Sequence, residues 1–161
     1  MALVTTIGGA SADSYGTLAE YQAYGASMGW TMGADDAADE VNLRRGALAL
    51  DRGYSFKGYP AASTQALEWP RLDVGYVNGY DVASTVIPQD IKNAQFEVAF
   101  LIQGGLDPFK TVDGAVTKAK AGPVEVEYSG GGSAEPRIVA IEGLLAPYLA
   151  FGSGQVRVAR G

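Results

Sequence analysis

The segment after Pro88 constrains the fold more than any other part of the chain. Five of its apolar residues recur at the spacing of one helix face: Ile91, Ala94, Val98, Leu101 and Ile102. Phe96 and Phe100 widen this apolar face. Proline suits the first helical position, and Gly104-Gly105 provides a stop. A helix that is apolar around so much of its circumference must be covered by other elements. We therefore predict a bundle with the helix at 88–103 in its centre.

Two earlier helices are indicated by their first turns. Thr17 and Glu20 have capping-box spacing, which predicts a helix from Leu18 to about Ser27. Asp35 or Asp36 is expected to cap a second helix at 37–53, with acidic residues early and arginines late, as the helix dipole favours. Its predicted buried stripe is Leu43, Ala47, Leu50 and Tyr54. A last helix is predicted over 138–149, bent or interrupted at Pro147.

The segment Trp69-Pro70-Arg71 reads as a structural corner. A residue before proline is pushed out of the α region, so a short helix capped by Ser63 or Thr64 is predicted to end at Trp69. We expect Trp69 to fill the end of the bundle, where truncation to alanine would cost about 3–5 kcal/mol. Arg71 is expected to anchor the corner, either within the subunit or against a neighbouring one.

The last third of the chain carries β-like patterns. Residues 124–128 alternate as a half-exposed strand does, and the glycine-rich stretch 129–133 reads as a linker or hairpin tip. The tail at 152–161 also alternates, and it is either disordered or paired with another strand edge. The predicted fold class is mainly α: a small bundle of four or five helices, a strand or hairpin arm near 106–135 within a single domain 1–151, and an extended C-terminal tail.

Composition excludes several classes of function. Histidine and cysteine are both absent, which removes thiol nucleophiles, zinc–thiolate sites and the commonest general base. The chain has twelve basic and eighteen acidic residues, so its formal charge is −6. A negative net charge is unfavourable for binding the phosphates of a nucleic acid. No apolar run is long enough to span a membrane. We expect no enzyme, no cofactor, no metal site and no membrane partner.

A series of short motifs resembles a known family over nearly the whole chain. They are Ala12-Asp13-Ser14-Tyr15, Phe56-Lys57-Gly58, the segment 65–71, Ile87-Pro88, the segment 122–128 and Leu144-Leu145-Ala146-Pro147. Their order is similar to that in the tailed-phage and prophage family that is labelled DnaT-like single-stranded-DNA-binding protein. More distantly, it resembles the helical head–tail connector, or adaptor, proteins of long-tailed phages.

The adaptor resemblance implies a structural role, which we rank first. It implies a dodecameric ring under the portal protein, followed by a stopper or tail-completion protein, in the neck of the virion after assembly in the host cytoplasm. Double-stranded DNA would pass through the lumen without sequence-specific binding, and an acidic wall would let it slide. The inter-subunit arm would be Val124, Glu125, Val126, Glu127 and Tyr128. The portal contact would be Val156, Arg157, Val158 and Arg160.

The alternative is a single-stranded-DNA-binding protein of phage replication. Its bases would stack on aromatic side chains, and the candidates are Tyr21, Tyr24, Tyr54 and Trp69. Each of these lies at or near helical core spacing, so burial in the core is the competing explanation for all of them.

Overall fold

A computed structural model describes residues 2–33, 35–110, 118–121, 124–127 and 137–150, without the side chains of 118–121, 124–127 and 137. Four α-helices lie in this part of the chain: α1 Leu18–Ser27, α2 Asp36–Gly53, α3 Gln89–Gln103 and α4 Val139–Leu145, the last followed by a 3-10 turn at Ala146–Tyr148. The prediction of a small, mainly helical fold is confirmed.

Seven short strands accompany the helices. Strands β1 (Tyr59–Pro60) and β2 (Arg71–Leu72) form one antiparallel pair, and β3 (Tyr76–Val77) and β4 (Tyr80–Asp81) form a second. Strands β5 (Lys118–Ala121), β6 (Val124–Glu127) and β7 (Arg137–Ile138) form an antiparallel sheet in that order. The two small pairs join α2 to α3, and the sheet precedes α4.

The helix boundaries follow local chemistry closely. The Thr17 N–H donates to Glu20 Oε2 (2.7 Å) and the Glu20 N–H donates to Thr17 Oγ1 (3.1 Å), which confirms the predicted capping box of α1. Asp35 caps α2 by accepting from the Ala37 N–H at 3.0 Å. Near the C-terminus, α4 ends at Leu145 and the chain tightens into the 3-10 turn at Pro147, close to the predicted break.

Helix α3 is central, as predicted, and α2 lies closest to it. Eight of the fifteen α3 residues are buried. A side-chain carbon at Gly46 of α2 would lie only 3.0 Å from the Gln95 carbonyl oxygen of α3. Glycine at this position therefore lets the two helix backbones approach each other directly.

The side chain of Gln95 joins α3 to two other segments. It is fully buried, and its Oε1 accepts from the N–H groups of Tyr15 and Gly16, both at 3.1 Å. Its Nε2 donates to Ser14 Oγ at 2.7 Å and to the Leu43 carbonyl at 2.8 Å. All four hydrogen-bonding positions of the amide are thus used, so its burial is compensated.

Replacing Gln95 with leucine should strongly destabilise the protein. The substitution keeps a similar volume but leaves the N–H groups of Tyr15 and Gly16 buried without an acceptor, and each such group costs about 1–3 kcal/mol. We expect the free energy of unfolding in urea to fall by about 2 kcal/mol or more. Gln89→Leu, at an exposed position of the same helix, is the control. Equal stabilities of the two variants would contradict the role assigned to Gln95.

The predicted short helix ending at Trp69 is wrong, because side chains satisfy the backbone of residues 61–69 in its place. Gln65 Oε1 accepts from the Ala62 N–H at 3.0 Å, and Gln65 Nε2 donates to the carbonyls of Leu67 and Pro70. The Ala66 N–H donates to the Gly9 carbonyl, and the Glu68 N–H to Asp51 Oδ2. With these bonds made, the segment has little to gain from helical ones.

The structural corner itself is deeply packed. Trp69 is 1% exposed and meets the rings of Phe56 and Tyr148 edge to face, at centroid distances of 5.6 and 5.7 Å. Arg71 is also buried, and its guanidinium donates to the Lys57 and Gly58 carbonyls at 2.8 Å and to the Glu68 carboxylate. In the described residues, the anchoring contacts of Arg71 therefore lie within its own chain.

Two partly buried hydrogen bonds of Asp51 tie this corner to α2. The Tyr15 hydroxyl donates to Asp51 Oδ1, and Asp51 Oδ2 accepts from the Glu68 N–H at 3.1 Å. Burial raises the pKa of Asp51 to about 6, even though both hydrogen bonds act in the opposite direction. Burial, and then the charge of Asp51, raises the pKa of Tyr15 well above its ordinary value.

The raised pKa of Asp51 predicts a pH-dependent stability. Between about pH 4 and pH 6 the folded protein holds a proton on Asp51 that the unfolded chain has lost, so stability falls as pH rises through this window. Asp51→Asn removes that ionisation. Relative to the wild type, the variant should gain up to about 3 kcal/mol between pH 4 and pH 7. Urea unfolding at each pH measures the effect, with Asp81→Asn on the exposed β4 as the control. Parallel stability curves for wild type and Asp51→Asn would contradict the assignment.

The predicted arm is a strand, and its partners in the structure belong to the same chain. Val126 of β6 is opposite Ala119 of β5 on one side and Ile138 of β7 on the other. Tyr128, the stretch 129–133 and the tail residues Val156, Arg157, Val158 and Arg160 lie outside the described residues. The subunit contact at Val124, Glu125, Val126, Glu127 and Tyr128, and the portal contact of the tail, stay predictions.

Candidate nucleic-acid interface

A tight turn after α3 presents an exposed aromatic ring. The Asp107 carboxylate accepts from the Phe109 N–H at 3.1 Å, and the Asp107 carbonyl accepts from the Lys110 N–H at 3.3 Å. Aspartate at the first position and Pro108 at the second are the residues that such a turn favours. Phe109 is 39% exposed, so part of its ring is accessible to solvent.

Two arginines of α2 lie against this ring. Arg45 and Arg52 are seven residues apart, so they share one face of the helix. The guanidinium carbon of each is 5.8 Å from the centroid of Phe109, within the range of a cation–π contact. These three residues are called the arginine–phenylalanine patch below. Lys110, next in the chain, is exposed and adds a third cation beside it.

Carboxylates of the described residues neutralise the positive charges of this patch only weakly. Arg45 Nη2 lies 3.1 Å from Asp107 Oδ1, but both side chains are largely exposed, and such pairs contribute little to stability. Arg52 forms no salt bridge with any carboxylate of the described residues. The guanidinium groups are therefore accessible to another anion.

A cavity of about 120 Å³ adjoins the patch. Its walls are mainly apolar side chains of the core: Ala49 and Leu50 of α2, Val98 of α3, and Ile138 and Ile141 before and within α4. Phe109 and Arg52 also line it. Because these two residues are exposed whereas Leu50, Val98 and Ile141 are fully buried, Phe109 and Arg52 mark its open side.

Outside the β-sheet, the other described lysines and arginines already contact carboxylates or carbonyls of the protein itself. Arg44 pairs with Asp13 at 2.7 Å, and Lys92 pairs with Glu20 at 2.8 Å. Lys57 donates to the Pro147 carbonyl at 2.9 Å, and Arg71 is buried. Within the part of the chain whose side chains are described, the patch and Lys110 thus hold the cations best placed to meet a phosphate.

The aromatic residues predicted to stack with DNA bases lie mostly inside the protein. Tyr21 and Trp69 are fully buried, so neither can meet a base, and that part of the prediction is wrong. Tyr24 is half-buried, packs edge-on against Trp30 and donates to Glu97 at 3.0 Å. Tyr54 is half-buried at the end of α2. Burial in the core accounts for their helical spacing.

Three other tyrosines are exposed, and sequence reasoning missed them. Tyr59, Tyr76 and Tyr80 on the small strand pairs are exposed by 53, 75 and 78%. Asn78 and Gly79 both have positive φ between β3 and β4, and an Asn-Gly pair between β-forming residues is the signal of such a hairpin.

These exposed tyrosines have acidic neighbours. Tyr76 is opposite Asp81 across the β3–β4 pair. The charge of Asp73, and then its hydrogen bond, raises the pKa of Tyr59. Negative charge beside these rings disfavours a phosphate there, so the arginine–phenylalanine patch is the better candidate for contact with a nucleic acid.

Neither a helix that could span a membrane nor a metal-binding cluster is found in the described residues. None of their helices combines the length and the hydrophobicity needed to cross a membrane. Nor do three or more acidic side chains among them converge in a way that would hold a metal ion.

Comparison with known proteins gives one result. A family model described as "Putative DnaT-like ssDNA binding protein" matches residues 1–161, the full length of the sequence. Searches of curated proteins and of solved structures find no match to this chain. Because the family model covers every residue, the chain belongs to the family that this model describes.

Proposed function

We propose that this protein binds single-stranded DNA at the arginine–phenylalanine patch. The observation that carries the proposal is the placement of Arg45 and Arg52 at one exposed phenylalanine ring in a chain of this family. An aromatic face accepts any base by stacking, and guanidinium groups pair with phosphate oxygens on either side of it. The family match favours this function over the adaptor role that the sequence alone ranks first.

The charge of the protein determines what kind of binding to expect. With a net charge of −6, the protein as a whole repels DNA, and the patch with Lys110 offers three cations. Binding should therefore rest on stacking and on two or three phosphates. The affinity should fall with salt at a slope near −2 on logarithmic axes, because each phosphate contributes about −0.7 for a single strand. Sequence preference should be small, since every base has a stacking face.

Substitutions in the patch should separate the contribution of stacking to the DNA affinity from the contribution of charge. Phe109→Ala should weaken binding of a labelled oligothymidine by about 1–3 kcal/mol without changing the salt slope, because it removes stacking and no charge. Arg52→Ala should weaken binding and reduce the slope by about 0.7. Fluorescence anisotropy at several salt concentrations measures both effects.

The matched control is Lys92→Ala, which removes a cation already paired with Glu20. It should leave the affinity nearly unchanged. If wild-type protein shows no affinity for single strands at low salt, or if all three variants behave alike, the proposed interface is wrong.

A head-to-tail adaptor is the second candidate function. The acidic character of the chain and the pairing of Arg44 and Lys92 within it favour a protein that tolerates DNA nearby without gripping it. In this proposal the protein forms a ring under the portal. The arm at 124–128 contacts a neighbouring subunit, and the tail at 152–161 adds a strand to the portal by β-augmentation.

The adaptor proposal has its own test. Electron microscopy and light scattering of the protein mixed with its portal protein should show a ring on the portal, and a chain lacking residues 152–161 should dock more weakly. Undiminished docking of the truncated protein would exclude the tail contact. A protein that stays monomeric, binds oligonucleotides and ignores the portal would exclude the adaptor role.

A further inference from the structure

We infer that the cavity beside Phe109 is a docking site for an acidic peptide carrying one large apolar side chain. The inference goes beyond DNA binding, because it concerns the space beneath the patch and a protein partner. It rests on two observations at one place: an apolar cavity that opens at the surface, and cations at its open side.

The size of the cavity limits its occupant. An engineered cavity of about 150 Å³ in another protein binds benzene. The cavity here measures about 120 Å³, so it suits one aromatic ring or one branched aliphatic side chain. Leu50, Val98 and Ile141 are the fully buried part of its lining. An inserted apolar group would remove solvent from the lining residues that are partly exposed, such as Ala49, Tyr54 and Phe109.

The chemistry of the walls selects an apolar side chain over a nucleobase. Apart from Arg52 and Tyr54, the side chains that line the cavity are apolar. A base inserted beside Ala49, Leu50 and Val98 would therefore leave most of its polar edge groups unpaired, and unpaired buried polar groups are costly. A phenylalanine or leucine side chain has no such groups. A base that stacks on the exposed part of Phe109 keeps its edges in water, so DNA binding and peptide docking use different parts of this site.

Charge complementarity selects an acidic peptide. Arg52 lines the cavity, and Arg45 lies over the ring of Phe109, which also lines it. Lys110 is exposed and follows Phe109 in the chain. Carboxylates that flank the inserted side chain would therefore meet guanidinium groups. The same arginines are proposed to contact DNA phosphates. An acidic partner bound here would therefore compete with the strand, and the competition would couple DNA release to partner binding.

Two labelled peptides test the inference directly. One has a run of aspartates ending in phenylalanine, and the other has serine in place of the phenylalanine. The phenylalanine peptide should bind at least tenfold more tightly, because only its ring can leave water. In nuclear magnetic resonance spectra it should shift the methyl signals of Leu50, Val98 and Ile141, and the serine peptide should not. Equal affinity of the two peptides, or binding of neither, would overturn the inference.

Filling the cavity separates peptide docking from DNA binding. Ala49 is half-buried in the cavity wall, so Ala49→Leu should fill the space and weaken the phenylalanine peptide about tenfold while leaving the affinity for oligothymidine unchanged. Equal loss of peptide and DNA binding would mean that a base occupies the cavity, which contradicts the inference. Peptide binding without any DNA binding would support the docking site and contradict the proposed function. The methyl shifts need no substitution, so they decide the matter if Ala49→Leu does not fold.

Discussion

The buried amide of Gln95 is the interaction on which the arrangement of this protein depends. It lies in the middle of the central helix, α3, and makes hydrogen bonds to the segment before α1 and to the backbone of α2. Apolar packing alone would leave α2 free to slide along α3. The amide of Gln95 makes all of its hydrogen bonds where the two helices meet, and Gly46 allows their close approach. Together they fix one position of α2 along α3.

The position of α2 along α3 determines where the candidate site lies. Since α2 is fixed on α3, the face of α2 that carries Arg45 and Arg52 points to the side where α3 ends. There Gly105 adopts φ 99° and the Leu106 N–H returns to the Leu101 carbonyl, so the chain reverses at once. The turn at 107–110 then sets Phe109 beneath both guanidinium groups. The cavity arises at the same place, because α2, α3 and α4 converge there around a ring that only partly covers them.

The sequence contains enough to predict the helices but not the site. Capping residues and periodicity locate α1, α2 and α3 almost to the residue, because these signals act within one or two turns of chain. The helix that the sequence predicts at residues 64–69 is absent for a different reason. Hydrogen bonds to the Gln65 side chain and to the distant Gly9 and Asp51 satisfy the backbone groups there, and no local pattern reveals such partners. Phe109 and Arg52 lie far apart in the chain, so their contact could not be read from spacing. The Asn78-Gly79 hairpin was readable, since its turn chemistry is local.

This acidic helical protein offers one small cationic and aromatic surface. The proposed function depends on a DNA strand lying on the ring of Phe109. Ultraviolet cross-linking to a halogenated oligothymidine, followed by mass spectrometry of the peptides, shows which residues touch the strand. We expect the principal adduct to form on Phe109. Adducts confined to Tyr76 and Tyr80 of the acidic hairpin, with none on Phe109, would contradict it.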